Sequence, residues 1–183
     1  MSLASSPTRD YLEFGARISP SPWKQAFRAL SPGDQVEVDG PHGHFVLDES
    51  RDAVFVAGGI GVTPLKGMAE YITDTPWPHD ALLVFSNPTT DEIAYRDELE
   101  TLSRTNPRFH VWHTLTQEPP ESGWSGRRGR VDGALLAEAV KAYLDPNWYI
   151  CGSPSMVRAT VGTLLGMGVP ELRIVYEAFL GYA

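Results

Sequence analysis

The sequence predicts an α/β fold in which a parallel β-sheet carries helices on both faces. From residue 52 onward, short apolar runs alternate with segments whose apolar residues recur at helical spacing. Repeated β–α units of this kind build parallel sheets with right-handed crossovers. The chain has 183 residues, 42% of them hydrophobic and 21% charged, which is enough for a packed core. Five strands are expected.

Residues 1–50 follow a different pattern, which indicates β-structure. Residues 11–18 alternate roughly between apolar and polar side chains, and residues 35–39 alternate strictly, so each is predicted to be a strand. Between them, the apolar residues of segment 23–30 recur at helical spacing directly after Pro22, which predicts a short helix.

The strands and helices of the parallel sheet follow in order. Each predicted strand is a short run rich in aliphatic or aromatic residues, at 53–57, 81–86, 109–115, 148–151 and 172–176. Helices are predicted at about 63–74, 131–143 and 156–167, with another that buries Ile93, Leu99 and Leu102. The polar segment 117–129, which contains Gly and Pro, is predicted to be a loop.

The stretch 52–64 is the most informative about function. A buried strand runs into Gly58-Gly59-Ile60-Gly61 and then into a helix. Thr63 is expected to be the N-cap of that helix and Pro64 its first residue. Glycines allow a phosphate to approach the backbone, and a helix N-terminus attracts negative charge. The spacing is not Gly-x-Gly-x-x-Gly, so an anion site and an ordinary strand-to-helix turn both stay open.

Charge and composition exclude several classes of function. The net charge of −8 argues against a general role on nucleic acid or anionic membranes. The cluster Arg127, Arg128 and Arg130 lacks interleaved aromatic residues, which favours a solvated loop. Cys151 is the only cysteine, so an intrachain disulfide and a cysteine-ligated cluster or zinc site are excluded, and no metal site is expected. Without a membrane-length apolar run or a signal pattern, we expect a soluble cytoplasmic protein.

Three segments together resemble one known family. They are the stretch 52–64, the sequence Cys-Gly-Ser-Pro-Ser-Met at 151–156, and Glu-Ala-Phe-Leu-Gly-Tyr at 177–182. In this order they resemble the ferredoxin–NADP reductase superfamily of flavin-dependent oxidoreductases. Residues 2–7, Ser-Leu-Ala-Ser-Ser-Pro, are similar to the end of that family's flavin motif, and segments within 24–45 are similar to the later half of its flavin barrel.

The resemblance implies two parts with different cofactors. Residues 51–183 would form a Rossmann-like five-stranded parallel sheet that binds NAD(H) or NADP(H). Residues 1–50 would form a partial antiparallel β-barrel for FAD. The implied activity is that of a reductase component, an oxidoreductase that passes hydride from NAD(P)H to a flavin. Electrons would then leave to a separate acceptor protein or small molecule.

The resemblance also assigns site residues by matching position. Cys151 would lie beside the nicotinamide, and Glu177 would orient it or relay a proton. Taken alone, Cys151 is typical of a small buried hydrophobe and Glu177 of a solvated carboxylate. The other cofactor contacts would come from Ser2, Leu3, Ala4, Gly58, Gly59, Gly61, Val62, Thr63, Pro64, Gly152, Ser153, Met156 and Phe179.

The chain departs from the family in its first part. Met1 stands where the family has the aromatic residue that covers the flavin, and the phosphate-binding arginine and the first half of the barrel have no counterpart. Pro20-Ser21-Pro22 replaces the family's glycine. We therefore expect weak or lost FAD binding, and a homodimer formed through residues 1–50, because unpaired strand edges invite association.

Two alternatives follow from these departures. The chain could be a truncated, non-catalytic nucleotide-binding module, or a fragment that needs another chain to complete the flavin site. The nucleotide is also open. Residues 114–117, Thr-Leu-Thr-Gln, stand where NADP-type relatives carry Ser-Arg, which favours NAD(H). Arg127 and Arg128 nearby could bind a 2′-phosphate, which keeps NADP(H) open.

Overall fold

A six-stranded parallel sheet forms the centre of the molecule. In the computed structural model of the chain, residues 1–179 are described. The strands are β1 Ala53–Gly58, β2 Ala81–Asn87, β3 Phe109–Leu115, β4 Arg127–Arg128, β5 Asn147–Gly152 and β6 Ile174–Ala178. Their order across the sheet is β4-β3-β2-β1-β5-β6, and every neighbouring pair is parallel.

Helices cover both faces of this sheet, as the sequence predicts. They are α2 Val62–Asp74, α3 Arg96–Thr105, α4 Gly133–Ala142 and α5 Pro154–Gly166, whereas the short α1 Pro22–Arg28 precedes the sheet and buries no residue. Helices α2 and α3 share one buried apolar cluster with the sheet, and α4 and α5 share a second on the opposite face. Between residues 1 and 179, none of the helices combines the length and apolar character needed to cross a bilayer.

The strand order reverses next to β1, which is flanked by β2 and β5. At such a switch point the loops leaving neighbouring strands diverge, and the crevice between them is where open α/β sheets bind ligands. The strand pairing fixes which residues meet there. Ala57 lies opposite Cys151, and Cys151 lies opposite Glu177.

The sheet has one strand more than the five predicted. The additional strand, β4, consists of two exposed arginines that pair with Thr114 and Leu115 at the edge of the sheet. An edge strand of two residues buries no side chain, and charged side chains are common on sheet edges. The sequence of β4 therefore lacks the apolar pattern by which the other strands are predicted. The prediction of a loop over 117–129 was therefore wrong for these two residues.

The start of α2 also differs from the prediction. A 3₁₀ turn, Gly59–Gly61, runs directly into the helix, so Gly61 occupies the N-cap position and no side chain caps this end. Thr63 lies inside the helix, and its hydroxyl donates a hydrogen bond to the Ile60 carbonyl at 3.0 Å. Pro64 is the third helical residue, which is tolerated because amides of the first turn have no partner within the helix.

Most of residues 1–50 lack the predicted strands. In this region, all of which the structure describes, the one β-contact is an antiparallel bridge between Leu3 and Phe14. Segment 35–39 pairs with no other segment, and Val36 and Val38 are 63% and 52% exposed. The strands at 11–18 and 35–39 were predicted wrongly, since an alternating pattern makes a strand only where a neighbour accepts its backbone hydrogen bonds.

The first fifteen residues are nevertheless firmly seated on α2. The Ser6 amide donates to Glu70 Oε2 at 2.9 Å. Lys66, which is 2% exposed, places its ammonium 2.6 Å from Glu13 Oε2 and 2.9 Å from Glu70 Oε1. At Gly67 a β-carbon would come within 2.9 Å of the Ser5 carbonyl oxygen, so the absence of a side chain lets the segment pass close to the helix.

Candidate functional site

Two glycine corners meet at the switch point. The first corner, residues 58–64, leaves β1, and the second corner, residues 151–156, leaves β5. A β-carbon on Gly61 would lie 2.6 Å from the Cys151 carbonyl carbon and 2.7 Å from the Gly152 α-carbon. Real β-carbons do not approach backbone atoms so closely, so this junction requires glycine at position 61.

Met156 covers two other glycines of the junction, Gly58 and Gly152. A β-carbon on Gly58 would overlap the Met156 sulfur, and one on Gly152 would lie 3.0 Å from that sulfur and 3.3 Å from the Gly58 nitrogen. Gly59, with φ of +52°, has open space on its β-carbon side. The junction therefore exposes mainly backbone to the crevice, and among residues 1–179 the Met156 thioether is the one side chain that packs against its glycines.

The two helices that begin at these corners both direct their N-termini toward the crevice. No side chain caps α2, whereas the Ser153 hydroxyl caps α5 by accepting a hydrogen bond from the Met156 amide at 3.4 Å, with Pro154 following. Neither helix has an acidic residue in its first turn. The partial positive charge of the α2 N-terminus is therefore not offset by a carboxylate in its first turn, which would suit an anion such as a phosphate.

Cys151 on β5 and Glu177 on β6 are direct neighbours in the sheet. Cys151 is completely buried, and burial, followed by the nearby Glu177 carboxylate, raises the pKa of its thiol. The thiol is thus neutral at physiological pH. It packs as a small apolar side chain and is not a nucleophile. Glu177 is half-buried on the edge strand β6.

The remaining predicted contacts are distributed around the crevice. Val62 and Thr63 are buried, while Pro64 and Ser153 are partly exposed. The Phe179 amide donates to the Gly152 carbonyl at 2.9 Å, which holds the chain after β6 against the second corner. Leu180, Gly181 and Tyr182, the end of the third resembling segment, lie outside the described residues.

Residues 2–4 lie on the N-terminal segment that packs on α2. Ala4 is fully buried, and its amide donates to the Glu13 carbonyl at 2.8 Å, while Ser2 and Leu3 keep exposed surface. The same segment reaches the first corner further along the chain. A β-carbon on Gly15 would lie 2.8 Å from Thr63 Cγ2, so the segment contacts the start of α2.

A polar cluster at the ends of β2 and β3 was not predicted. Glu118, in the loop after β3, accepts hydrogen bonds from the Thr90 amide at 2.7 Å and the Thr90 hydroxyl at 2.8 Å. The amide hydrogen bond above all lowers the pKa of Glu118. Nearby, Asn87 is 2% exposed, and neither atom of its side-chain amide has a hydrogen-bond partner within residues 1–179. The sequence carries no local signal for this cluster, because the hydrogen-bonded pair joins residues 28 positions apart.

Comparison with known proteins places this site in a family. Residues 55–162 match the family described as the oxidoreductase NAD-binding domain. The chain is 33% identical over 155 residues to a flavohemoprotein of Rhizobium meliloti (strain 1021), covering 82% of this chain and 38% of that protein. It is 33% identical over 170 residues to a nitrate reductase [NADH] of Volvox carteri, covering 83% of this chain and 20% of that protein.

The fold agrees with these sequence relatives. The structure of the CS-b5R domains of human Ncb5or in its NAD⁺ form superposes with a TM-score of 0.80 at 26% identity, covering 96% of this chain and 54% of that one. The chain spans less than two fifths of the length of each of the two curated relatives. The residues matched to the family include β1 from Phe55 onward, strands β2 to β5 and both glycine corners. The match ends within α5, at residue 162.

Proposed function

The chain belongs to the oxidoreductase NAD-binding domain family, the nucleotide-binding part of the ferredoxin–NADP reductase superfamily, and on this premise we propose that it serves a flavin-dependent NAD(P)H reductase. Its task would be to bind the pyridine nucleotide and hold the nicotinamide where a flavin can reach it. The observation that carries the proposal is the junction of the two glycine corners, where Gly61 packs directly on the Cys151–Gly152 backbone.

The residues of the junction divide this work. The diphosphate would bind at Gly59 and Gly61, where bare backbone and the uncapped N-terminus of α2 favour an anion. The nicotinamide would lie at the second corner, against Cys151 and Gly152, which add almost no side-chain bulk. Bound NAD(P)H supplies a hydride for which a flavin is the acceptor. In this placement the neutral Cys151 thiol would form an apolar backing behind the ring, and the Glu177 carboxylate would accept a hydrogen bond from the carboxamide.

The flavin side of the proposal rests on the first residues of the chain. Ser2 and Leu3 retain exposed surface beside α2, so they are available for flavin contacts, whereas buried Ala4 would contribute through its position in the segment. Segment 16–50 forms no strand ladder to enclose a cofactor. We therefore propose that FAD binds weakly to this chain alone, and that its site is completed by other protein.

The exposed apolar side chains of residues 1–50 favour an association partner. Leu12, Trp23, Val36 and Val46 are between 55% and 69% exposed. Burying them against a second copy would remove that apolar surface from water, which supports the proposed homodimer. The same surface would also suit a chain that completes the flavin barrel, as in the non-catalytic alternative. The electron acceptor is proposed to be a separate protein or small molecule.

Titration of the purified protein with NADH and NADPH in a calorimeter tests the nucleotide site directly. We expect saturable binding of at least one of the two, whereas binding of neither to the folded protein would refute the proposal. Adding FAD and following its absorbance under anaerobic conditions tests the reductase role. Bleaching faster than in a protein-free control supports catalysis, and nucleotide binding without faster bleaching favours the non-catalytic module.

A further inference from the structure

We propose that the free edge of β6 is a self-association surface. A second copy of this chain would add its own β6 there in antiparallel orientation, with a two-fold axis that passes at Val175. The residues of this surface are different from the exposed apolar side chains of residues 1–50. The inference goes beyond the proposed function, because nothing in it depends on nucleotide or flavin binding.

The two edges of the sheet differ in how they are protected. Strand β4, at one edge, consists of two exposed arginines. Strand β6, at the other, is five residues long and pairs with β5 along its length, and no segment between residues 1 and 179 pairs with its outer side. Short, charged edges resist the addition of another strand, whereas longer edges without that protection invite it. Of the two, β6 is therefore the edge at which a strand can be added.

The backbone of β6 offers hydrogen-bonding groups on its outer side. The Phe179 amide donates to the Gly152 carbonyl, so the backbone of residue 179 faces β5. Alternate residues of a paired strand direct their N–H and C=O groups to opposite sides. The amides and carbonyls of Ile174, Tyr176 and Ala178 consequently face the free edge, where a second strand can bind them.

The sequence of this edge is complementary to itself. Residues 173–177 read Arg-Ile-Val-Tyr-Glu. With the axis at Val175, Arg173 of each copy lies opposite Glu177 of the other. In the same register Ile174 lies opposite Tyr176. Opposite charges and aromatic–β-branched pairs in such positions stabilise two paired strands, and the two-fold axis makes each pair occur twice.

Exposed apolar side chains surround this edge. Leu172 and Leu144 are 96% and 93% exposed, and Tyr176 is 59% exposed. Arg173 donates from Nε and Nη2 to the Asp145 carboxylate at 3.3 and 3.1 Å, which brings the two leucines to the same end of β6. A group of exposed large apolar side chains is typical of a protein contact surface. The Arg173 Nη1 group has no hydrogen-bond partner within residues 1–179, so it can reach a carboxylate of the second copy.

Disulfide cross-linking tests the register. Residues at the axis of this antiparallel pair have α-carbons about 4.5 Å apart, which a disulfide can span. Under mild oxidation, Val175→Cys should form a covalent dimer roughly tenfold or more faster than Leu172→Cys, because paired strands hold the two thiols together. Leu172→Cys is the matched control, since residue 172 is more exposed but its two copies would lie about 20 Å apart. Cys151 is buried, so the wild type is the blank.

A charge reversal tests the pairing without cross-linking. Glu177→Lys places like charges opposite Arg173 twice and should raise the dimer dissociation constant roughly tenfold, measured by sedimentation velocity over a range of concentrations. Glu121→Lys makes the same change at an exposed position in the loop before β4, at the opposite edge, and should leave that constant unchanged. Thermal unfolding checks that each variant is folded.

The outcomes identify the interface. A wild type that stays monomeric at all concentrations, or equal cross-linking of the two cysteine variants, would overturn the proposal. A dimer that persists without cross-linking of Val175→Cys would also overturn it and would favour association through residues 1–50. Equal weakening by both lysine variants would show an effect of general charge and would likewise overturn it. None of these results bears on the proposed function, since none of them measures nucleotide binding.

Discussion

The two glycine corners have the same topology but are closed by different means. The first, after β1, is closed by backbone alone, with Gly61 against the Cys151–Gly152 peptide and no side chain capping α2. The second, after β5, is closed by side chains, because Ser153 caps α5 and Met156 covers the glycines. The difference supports the proposed division of roles, in which the uncapped start of α2 would receive an anion and the second corner would line the crevice beside it.

The largest expected effect is at the backbone junction. Gly61→Ala should lower the free energy of unfolding by about 3 kcal/mol and abolish nucleotide binding, because its β-carbon meets backbone that cannot move aside. The matched control is Gly162→Ala on α5, where a β-carbon meets nothing within 4 Å. The free energy of unfolding of Gly162→Ala should exceed that of the wild type by about 0.5–1 kcal/mol. Urea denaturation measures both, and equal stability of the two variants would contradict the contrast between the corners.

A smaller effect is expected at the side-chain cap. Ser153→Ala removes the hydroxyl that accepts from the Met156 amide and should cost about 1 kcal/mol of stability. Nucleotide binding should weaken much less than in Gly61→Ala, since the first corner keeps its backbone. Calorimetric unfolding and nucleotide titration of the same samples give both values. If Ser153→Ala lost binding as completely as Gly61→Ala, the second corner would be part of the anion site itself.

The smallest effect is the pH dependence that Cys151 gives to stability, at the point where the second corner packs on Gly61 of the first. Its folded-state pKa is raised by burial, so its contribution to stability is fully present at pH 7 and declines as the pH exceeds the unfolded value of about 8.5. Between pH 7 and pH 9 this amounts to about 0.8 kcal/mol. Cys151→Ala should unfold with a flatter pH dependence over that range. Equal slopes for the two proteins would show that the thiol is not protected from ionisation.

The sequence predicted the apolar strands well and the polar contacts poorly. Strands β1 and β2 were each predicted within one residue, because buried parallel strands are continuous apolar runs. Strand β3, which is only partly buried, was predicted with its observed bounds from its aromatic and aliphatic residues. Thr63 was misplaced as a cap because a preceding 3₁₀ turn leaves no local signature. The contact between Glu118 and Thr90 joins residues 28 positions apart, so only the folded sheet brings them together.

The packing of the first fifteen residues against α2 limits where this chain can be joined to another protein in a chimera. Joining this sheet to a different N-terminal region at residue 50 would remove Glu13 and leave the buried Lys66 ammonium with Glu70 as its remaining close partner. Losing one partner of a buried ion pair is strongly destabilising. Segment 16–50, whose apolar side chains are largely exposed, tolerates a crossover far better. A functional chimera of this protein would therefore keep residues 4–15 together with the sheet and its helices, and exchange residues within 16–44.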